Sequence, residues 1–280
     1  MRHGLGMKKT VINALIAGVT LVATANLYAA DCAVGKTMKD GVLTVATGNP
    51  AYYPWVMDND PSSGQGFEAA VAYAVAERMG FGKDKVEWTS ASFDQSIQPG
   101  VKDFDFNLQQ FSITEEREKV VDFSAPYYSA PMAVLVRKSA VENGAAPTIE
   151  SLQKLKWGID SNTTALAMIL ENIAPSSDPL LYDDNINVVE AMKANQIDAG
   201  MFDLPTALYL GGVVLDDGVV LGQFPADRAD SPDQFGLLME NDSALKACVD
   251  EAVLSMTEDG TLAAIEAQWL QETTGVPLIK

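Results

Sequence analysis

Residues 106–128 read FNLQQFSITEEREKVVDFSAPYY. Apolar residues at 104–108 predict a buried strand, and the polar residues that follow predict a short helix over 114–119. Ser112 and Thr114 lie where that helix begins, and Arg117 lies inside it. A second apolar run at 132–137 predicts another strand. The stretch therefore predicts two strands joined by a polar connection that carries two hydroxyls and a guanidinium.

The same alternation of strands and helices extends to both sides of this stretch. Strands are predicted at 42–47, 85–89, 157–159, 199–202 and 235–239, and helices at 67–79, 93–101, 163–172, 186–194 and 204–210. Strands that alternate with helices indicate α/β architecture. The order restarts near residue 140, which predicts two lobes of similar construction.

The composition is that of an acidic globular chain. It has 280 residues, of which 48% are hydrophobic, and 19 Lys and Arg against 38 Asp and Glu, for a net charge of -19. The apolar residues suffice for a core, and the negative charge would repel nucleic acid and anionic lipid headgroups. We therefore expect no nucleic-acid partner.

The first thirty residues have the pattern of an export signal. A positively charged start precedes a mostly apolar run at 11–25 and small residues at 29 and 30. Residues 1–30 are thus predicted to be a cleaved signal peptide, and the mature protein to be soluble in the periplasm. A lipid anchor at Cys32 is the less favoured alternative, because Asp31 before it is a poor fit to the small residue that such cleavage prefers.

Removal of this leader would leave a chain without histidine, because His3 is the only one. Such a chain has no Ser-His-Asp or Cys-His mechanism and no His-ligated zinc site, and we expect no metal and no cofactor. Two cysteines remain, Cys32 and Cys248. In an oxidising compartment they most simply form one disulfide, and the alternative is two unrelated thiols.

Two motifs in the opening stretch carry a family resemblance. Ser-Ile-Thr-x-x-Arg at 112–117, followed by Val-Asp-Phe-Ser-x-Pro-Tyr-Tyr at 121–128, resembles the signature of the family 3 extracellular solute-binding proteins, the amino-acid receptors of ABC importers. Further matches follow in the family's order at 52–55, 66–68, 157–159 with 162–164, 197–199 with 203–205, and 259–261. The resemblance covers nearly all of residues 40–272.

This resemblance implies a two-lobed periplasmic binding protein of type II, with a ligand cleft between lobes that two crossover strands join. On this basis we expect residues 31–136 and 235–280 in lobe 1 and residues 137–234 in lobe 2. Hinge closure would trap an amino acid. The loaded protein, a monomer, would deliver it to the membrane permease of an ABC importer.

Within the motif, Arg117, Ser112 and Thr114 suit a ligand carboxylate. The planar guanidinium of Arg117 offers two parallel hydrogen bonds, and the free N–H groups at a helix start favour an anion. One alternative is a surface Arg117 that pairs with Glu115 or Glu116. The two hydroxyls have the alternative role of capping the helix.

The resemblance places a second group of candidates on the opposite lobe. Thr163 and Thr164 lie at another helix start and would hold the same carboxylate, while Asp203 would pair with the ligand's ammonium. Each has a structural alternative. Thr164 is also suited to the first turn of a helix, and Asp203 to the N-cap of a helix with proline in its first turn.

The remaining candidates concern the ligand side chain and the ammonium. Tyr52 and Phe93 fall where the family places rings that sandwich the side chain, although a buried ring more often belongs to the core. Gln110 replaces a small residue, and its backbone is expected near the ammonium. Asp160 would favour a cationic or hydrogen-bond-donating side chain if it faces the cleft, and is otherwise one solvated acid among many.

These residues predict a binding protein for a polar or cationic amino acid and not an enzyme. One alternative is an exported cyclohexadienyl or arogenate dehydratase on the same scaffold, which would need a carboxylate such as Glu68 or Asp160 in the cleft with a raised pKa. Another is a sensor that presents its ligand to a membrane receptor. The sequence does not separate a sensor from an importer component.

Overall fold

The computed structural model describes residues 32–225, 233–270 and 275–280. The predicted signal peptide, residues 1–30, lies outside the described residues. Within the described ranges, no helix combines the length and apolarity needed to cross a membrane.

Twelve strands are described within these ranges. They are β1 (Leu43–Thr47), β2 (Val86–Ser90), β3 (Phe106–Asn107), β4 (Val121–Phe123), β5 (Tyr128–Ser129), β6 (Met132–Arg137), β7 (Gly158–Asp160), β8 (Leu180–Tyr182), β9 (Ala199–Asp203), β10 (Gly218–Phe224), β11 (Gln234–Phe235) and β12 (Leu238–Glu240).

The same ranges contain nine described α-helices. They are α1 (Phe67–Arg78), α2 (Phe93–Ser96), α3 (Lys138–Glu142), α4 (Ile149–Leu152), α5 (Ala165–Asn172), α6 (Asn185–Lys193), α7 (Leu204–Tyr209), α8 (Lys246–Glu258) and α9 (Thr261–Trp269). Short 3-10 turns occur at Met57–Asn59, Pro61–Ser63, Lys83–Lys85 and Arg117–Lys119, and a π-helical turn follows α7 at Leu210–Val214.

The first lobe is built on a five-stranded sheet in the order β2-β1-β3-β12-β4. β1 runs parallel to β2 and β3, and all five of its residues are buried. A parallel strand covered on both faces needs such a continuous apolar run. Helices α1, α8 and α9 supply the covering, because Val71, Val253 and Leu262 share one core with Leu43.

The second lobe is built on a three-stranded sheet in the order β10-β6-β9, beside which lies the parallel pair β7-β8. A bridge between Trp157 and Ala199 joins this pair to β9. Helix α5 packs on one core through Ile169, and helix α6 packs on another through Val188 and Met192. The α/β architecture predicted from the sequence is confirmed in both lobes.

The chain crosses between the two sheets twice. It leaves the first lobe from β4 through β5 into β6, and it returns from β10 through β11 into β12. β5 and β11 pair antiparallel, with Tyr128 opposite Phe235 and Ser129 opposite Gln234. This ribbon confirms the predicted pair of crossover strands.

The packing differs from the predicted lobe division at two places. β6, which the division assigns to lobe 1 as part of residues 31–136, pairs with β9 and β10 of the second lobe. The segment 275–280, assigned to lobe 1 as part of 235–280, packs on the second lobe as well. Leu278 forms a bridge to Gln223, and the N–H of Lys280 donates to the carbonyl of Pro147 at 3.1 Å. The apolar Ile279 explains this placement, since it packs against the second lobe's core.

Two predicted helices are shorter than the sequence pattern indicated. The helix predicted over 93–101 ends at Ser96, because Pro99 and Gly100 follow and Gly100 has a φ of +120°. The helix predicted over 114–119 is a single 3-10 turn, Arg117–Lys119. The hydroxyl of Thr114 accepts the N–H of Arg117 at the start of this turn, and Arg117 lines the cavity between the lobes.

The predicted disulfide between Cys32 and Cys248 is present, with Cα atoms 5.7 Å apart. Cys248 lies on α8, whose inner face packs in the core of the first lobe. The bond therefore ties the first described residue to a helix 216 positions further along the chain. A closed loop of this length contributes about 5.4 kcal/mol in the chain-entropy model.

Candidate functional site

A cavity of about 550 Å³ lies between the lobes and is lined by residues of both. Its wall includes Ser112 and Arg117 of the motif at 112–117, the turn before α5 and the end of β9. The described residues that line the cavity include one basic residue and eight acidic residues. The charged residues are Glu68, Asp94, Arg117, Asp160, Asp183, Asp184, Glu190, Asp203 and Asp233.

Arg117 is the central group of this cavity. It is buried, and one terminal nitrogen donates to the carbonyl of Ser112 at 2.8 Å while the other donates to the carbonyl of Asn162 at 2.8 Å. The guanidinium carbon lies 5.4 Å from the centre of the Phe93 ring. Burial lowers the pKa of Arg117 to about 10, so it stays charged at neutral pH. Because Asn162 belongs to the second lobe, this one side chain bridges the two lobes.

Two hydroxyls meet beside this guanidinium, one from each lobe. The oxygens of Ser112 and Thr164 lie 3.4 Å apart. Asp233 lines the same cavity; burial raises the pKa of its carboxyl group, and the nearby polar groups of Ser112 and Thr164 and the charge of Arg117 oppose this rise. The predicted anion-binding groups Ser112, Thr164 and Arg117 are thus brought together.

Thr114 takes a different position from the other predicted carboxylate ligands. Its hydroxyl accepts the N–H of Arg117 at 3.2 Å, and its carbonyl accepts the N–H of Glu118. It is not among the described residues that line the cavity. The capping alternative describes its contacts, and direct ligand contact by Thr114 stays a prediction.

Asp160 and Thr163 form the turn that leads into α5. The carboxylate of Asp160 accepts the N–H of Asn162 at 2.9 Å, and the hydroxyl of Thr163 donates to the carbonyl of Asp160 at 2.9 Å. Both residues line the cavity. Burial raises the pKa of Asp160 to about 6, against the hydrogen bonds from Asn162. Asp160 therefore lies on the cavity wall, the position in which it would favour a ligand with a cationic or hydrogen-bond-donating side chain.

Asp203 stands at the end of β9, where the strand turns into α7. Its carboxylate accepts the N–H of Thr206 at 2.8 Å, so it caps the helix and lines the cavity at once. Burial raises its pKa to about 6. The hydroxyl of Thr206 accepts the indole N–H of Trp55 at 2.8 Å, which is another contact between the lobes.

Glu68, which the sequence analysis named only as a carboxylate for the alternative dehydratase, lies on the cavity wall. It is fully buried in the first turn of α1, and its carboxylate accepts the backbone N–H of Gln110 at 2.8 Å, the side-chain amide of Gln110, and the hydroxyl of Tyr127. Burial raises its pKa to about 7. Gln110 has a φ of +52°, which fits a position where the resemblance implies a small residue.

The loop before α1 is fixed by a close backbone approach. The N–H groups of Phe67 and Glu68 donate to the carbonyls of Pro54 and Trp55 at 2.8 and 3.0 Å. Gly66 adopts a φ of +105°, and a Cβ there would lie 2.5 Å from the carbonyl oxygen of Trp55. Glycine is therefore required for this loop to reach the cavity wall.

The two predicted aromatic candidates line the cavity from the first lobe. Phe93 stacks on the fully buried Phe111, with ring centres 4.7 Å apart and planes 23° from parallel. Tyr52 is half-buried, and burial together with the nearby charge of Asp184 raises its pKa to about 12. Both side chains are placed on the cavity wall, and their contact with a ligand stays a prediction.

Asp233 lines the cavity but was not among the predicted site residues, and the sequence gives little indication of its position there. It ends a polar, proline-containing stretch that reads as a loop, and only the pairing of β11 with β5 brings it to the cleft. Asp183 and Asp184 were also not predicted as site residues. They directly precede α6, and the carboxylate of Asp184 caps this helix. Within the described ranges, no group of three or more His, Cys, Asp or Glu side chains is placed to hold a metal ion.

Two lobes, two crossover strands and a polar cleft between them define a type II periplasmic binding protein. The sequence pattern of the bacterial extracellular solute-binding proteins, family 3, matches residues 43–272, and the chain belongs to this family. The family and its relatives are solute-binding proteins and not enzymes, which confirms the prediction made from the sequence.

Several characterised relatives cover most of the chain. The L-cystine-binding protein TcyJ of Escherichia coli (strain K12) is 28% identical over 262 residues, which are 91% of each chain. The ABC transporter arginine-binding protein 1 of the same strain is 25% identical over 273 residues, 95% of this chain and 100% of that one. The solved structure of an ancestral arginine-binding protein bound to glutamine is similar with a TM-score of 0.66 and 26% identity, covering 84% of this chain and 100% of that one.

Proposed function

We propose that this protein is a monomeric periplasmic receptor that binds one amino acid in the cleft, closes over it and delivers it to the permease of an ABC importer. The observation that carries the proposal is Arg117, a buried guanidinium whose two terminal nitrogens donate to carbonyls of different lobes. An anion bound there contacts both lobes, so its binding and their closure are coupled. Relatives that bind cystine, arginine and glutamine support an amino acid as the ligand.

The chemistry of the wall fits a zwitterion. A ligand that leaves water must have both of its charges paired, since an unpaired buried charge is very costly. Arg117 with the hydroxyls of Ser112 and Thr164 replaces water around the carboxylate. Asp203, held by the N–H of Thr206, supplies the negative partner for the ammonium.

The remaining charge favours a polar or cationic side chain. Beyond the groups assigned to the zwitterion, Asp94, Asp183, Asp184 and Glu190 are exposed acids on the cavity wall. A cleft lined by one sign of charge raises the local concentration of ligands of the opposite sign. An acidic ligand side chain would be repelled by these four acids.

A calorimetric titration with matched ligands tests the proposal. L-Arginine and L-glutamine represent the favoured classes, L-glutamate the disfavoured one, and the methyl ester and the N-acetyl derivative of L-arginine each remove one charge of the zwitterion. We expect binding of at least one of the free amino acids, no binding of L-glutamate, and loss of affinity on blocking either end. Equal affinity for the ester and the free acid would contradict the role of Arg117.

The delivery step needs a separate measurement. Uptake of the radiolabelled ligand by cells that lack the gene is expected to be restored by the wild-type protein. Restored binding in the periplasm without uptake would instead favour the sensor role.

A further inference from the structure

Trp55 is a fully buried side chain where the first lobe meets the crossover ribbon. Its ring contacts those of Tyr128 and Phe235 edge-on, with ring centres 5.8 and 5.9 Å apart. These two residues stand opposite each other in the pairing of β5 with β11. The backbone of Trp55 is fixed as well, because its carbonyl accepts the N–H of Glu68 at 3.0 Å, at the start of α1. The indole therefore has a set position relative to both the first lobe and the ribbon.

The indole N–H of Trp55 reaches across to the second lobe. It donates to the hydroxyl of Thr206 at 2.8 Å, and this hydrogen bond is buried. The backbone N–H of Thr206 in turn donates to the carboxylate of Asp203 at 2.8 Å. All three residues line the cavity. Two consecutive hydrogen bonds thus connect the ring at the ribbon with the acid proposed to pair with the ligand's ammonium.

A second contact joins the same loop of the first lobe to the same helix of the second. The rings of Tyr53 and Tyr209 have centres 5.6 Å apart, and Tyr209 is the last residue of α7. The loop therefore contacts α7 near its start, through Trp55, and at its end, through Tyr53. These two contacts constrain both the orientation of the helix and its distance from the first lobe.

The hydrogen bond to Thr206 gives tryptophan a role here that phenylalanine cannot take. A phenylalanine ring fills similar space but has no N–H to donate, whereas a buried indole N–H normally has a partner. A buried hydroxyl that loses its partner is costly. Since Thr206 also holds the carboxylate of Asp203, the loss of the indole N–H would loosen the support of that acid.

We propose that Trp55 is a positioning residue for the ammonium subsite: its hydrogen bond to Thr206 sets the carboxylate of Asp203 at a fixed position relative to the first lobe, where it pairs with the ammonium of a bound amino acid. The proposal rests on the proposed function, which assigns the ammonium to Asp203. It adds that the placement of this acid, and with it the affinity for amino acids, depends on a side chain of the opposite lobe.

A double-mutant cycle, measured by calorimetry with L-arginine and L-glutamine, tests this role. Trp55→Phe removes the donor and keeps a ring, and Thr206→Val removes the acceptor and keeps the backbone N–H for Asp203. Each single variant is expected to raise Kd about tenfold, equivalent to about 1.4 kcal/mol. The double variant is expected to bind no more weakly than either single variant, because both substitutions remove the same bond. Losses that multiply in the double variant overturn the proposal.

Trp157→Phe is the matched control for the loss of a buried indole N–H. Trp157 is equally buried, lies outside the cavity wall, and donates its indole N–H to the carbonyl of Leu152 at 3.0 Å within the second lobe. We expect this variant to lower the thermal unfolding midpoint as Trp55→Phe does, and to leave Kd unchanged. A weaker Kd in Trp157→Phe would show that any lost core hydrogen bond reduces affinity, and it would overturn the specific role of Trp55.

The Asp203→Asn background separates positioning of the acid from general support of lobe closure. Asparagine keeps the helix cap but removes the charge that Trp55 is proposed to place. Trp55→Phe is therefore expected to cost no further affinity in this background. A further tenfold loss there would mean that the indole supports binding by another route, and it would overturn the proposal. Should Trp55→Phe fail to fold, Thr206→Val in the wild-type and Asp203→Asn backgrounds gives the same comparison with the same expected losses.

The outcomes distinguish this proposal from the proposed function. Binding of L-arginine or L-glutamine by the wild type, with unchanged Kd in Trp55→Phe and Thr206→Val, defeats the positioning role alone. If the wild type binds none of the amino acids offered, the proposed function fails, and the assignment of an ammonium subsite fails with it.

Discussion

On the wall of one cavity, Arg117 is buried and hydrogen-bonded to both lobes, whereas Asp183 and Asp184 stand exposed before α6. These groups also differ in their surroundings, since the guanidinium lies against the Phe93 ring and the two acids face solvent. Coulomb interactions are several times stronger in a buried site than in water, and salt screens exposed charges much more than buried ones. We infer that the buried guanidinium determines affinity, and that the exposed acids attract a cationic ligand from a distance.

The largest expected effect is at the buried guanidinium. Arg117→Ala leaves the ligand carboxylate without its charged partner, and we expect a loss of about 2–5 kcal/mol in binding free energy, measured by calorimetry. Arg78→Ala is the control, because Arg78 pairs with Asp259 in the first lobe, away from the cavity wall. Unchanged affinity in Arg117→Ala would remove the basis of the comparison.

The next effect is a pH dependence set by Asp203. Burial raises its pKa to about 6, so below that pH the free protein carries a neutral group that does not pair with an ammonium. Affinity is expected to fall as pH decreases through about 6, by at most about tenfold per pH unit for one coupled proton. Calorimetry between about pH 5 and about pH 8, a range that brackets that pKa, measures the profile.

Asp203→Asn is the control for this profile. Asparagine is also a good N-cap, so the bond to the N–H of Thr206 is kept while the charge is lost. We expect a lower affinity and a flatter pH profile in this variant. A profile as steep as that of the wild type would assign the proton to another carboxyl of the cleft, such as Asp160, whose pKa is also raised to about 6.

The smallest effect is expected at the two exposed acids. Asp183→Asn and Asp184→Asn together are expected to weaken binding of L-arginine by about 0.2–1 kcal/mol and to leave L-glutamine unaffected. The change is expected in the association rate and to vanish at high salt. Asp178→Asn, an exposed acid of the same lobe outside the cavity wall, is the control for stopped-flow measurements. A loss that persists in high salt would show that these acids are direct ligands.

The fold could be predicted from the sequence because its strands are short, apolar and separated by helices. β1 is predicted at 42–47 and lies at Leu43–Thr47, and the helix predicted over 67–79 spans Phe67–Arg78. Local patterns failed where tertiary contacts decided the outcome. The placement of 275–280 on the second lobe depends on Ile279 meeting a core that is distant in sequence.

The site was predictable to the extent that single residues carry its chemistry. Arg117, Ser112, Thr164 and Asp203 were chosen because guanidinium, hydroxyl and carboxylate groups at strand and helix ends indicate a polar ligand; all four line the cavity, and their contact with a ligand stays a prediction. Asp233 was not predicted as a member of the site, because it reaches the cleft only through the pairing of β11 with β5 and stands in no sequence pattern that distinguishes it from the other acids of the chain. Glu68 was named only for the alternative dehydratase, because its contacts with Gln110 and Tyr127 join residues that are distant in sequence.

The attachment of residues 275–280 to the second lobe has a mechanical consequence. Helix α9 packs on the first lobe, so the chain joins the two halves a third time, in addition to the ribbon of β5 and β11. Opening of the cleft must therefore either carry residues 275–280 along with the second lobe, away from α9, or break their contacts with Gln223 and Pro147.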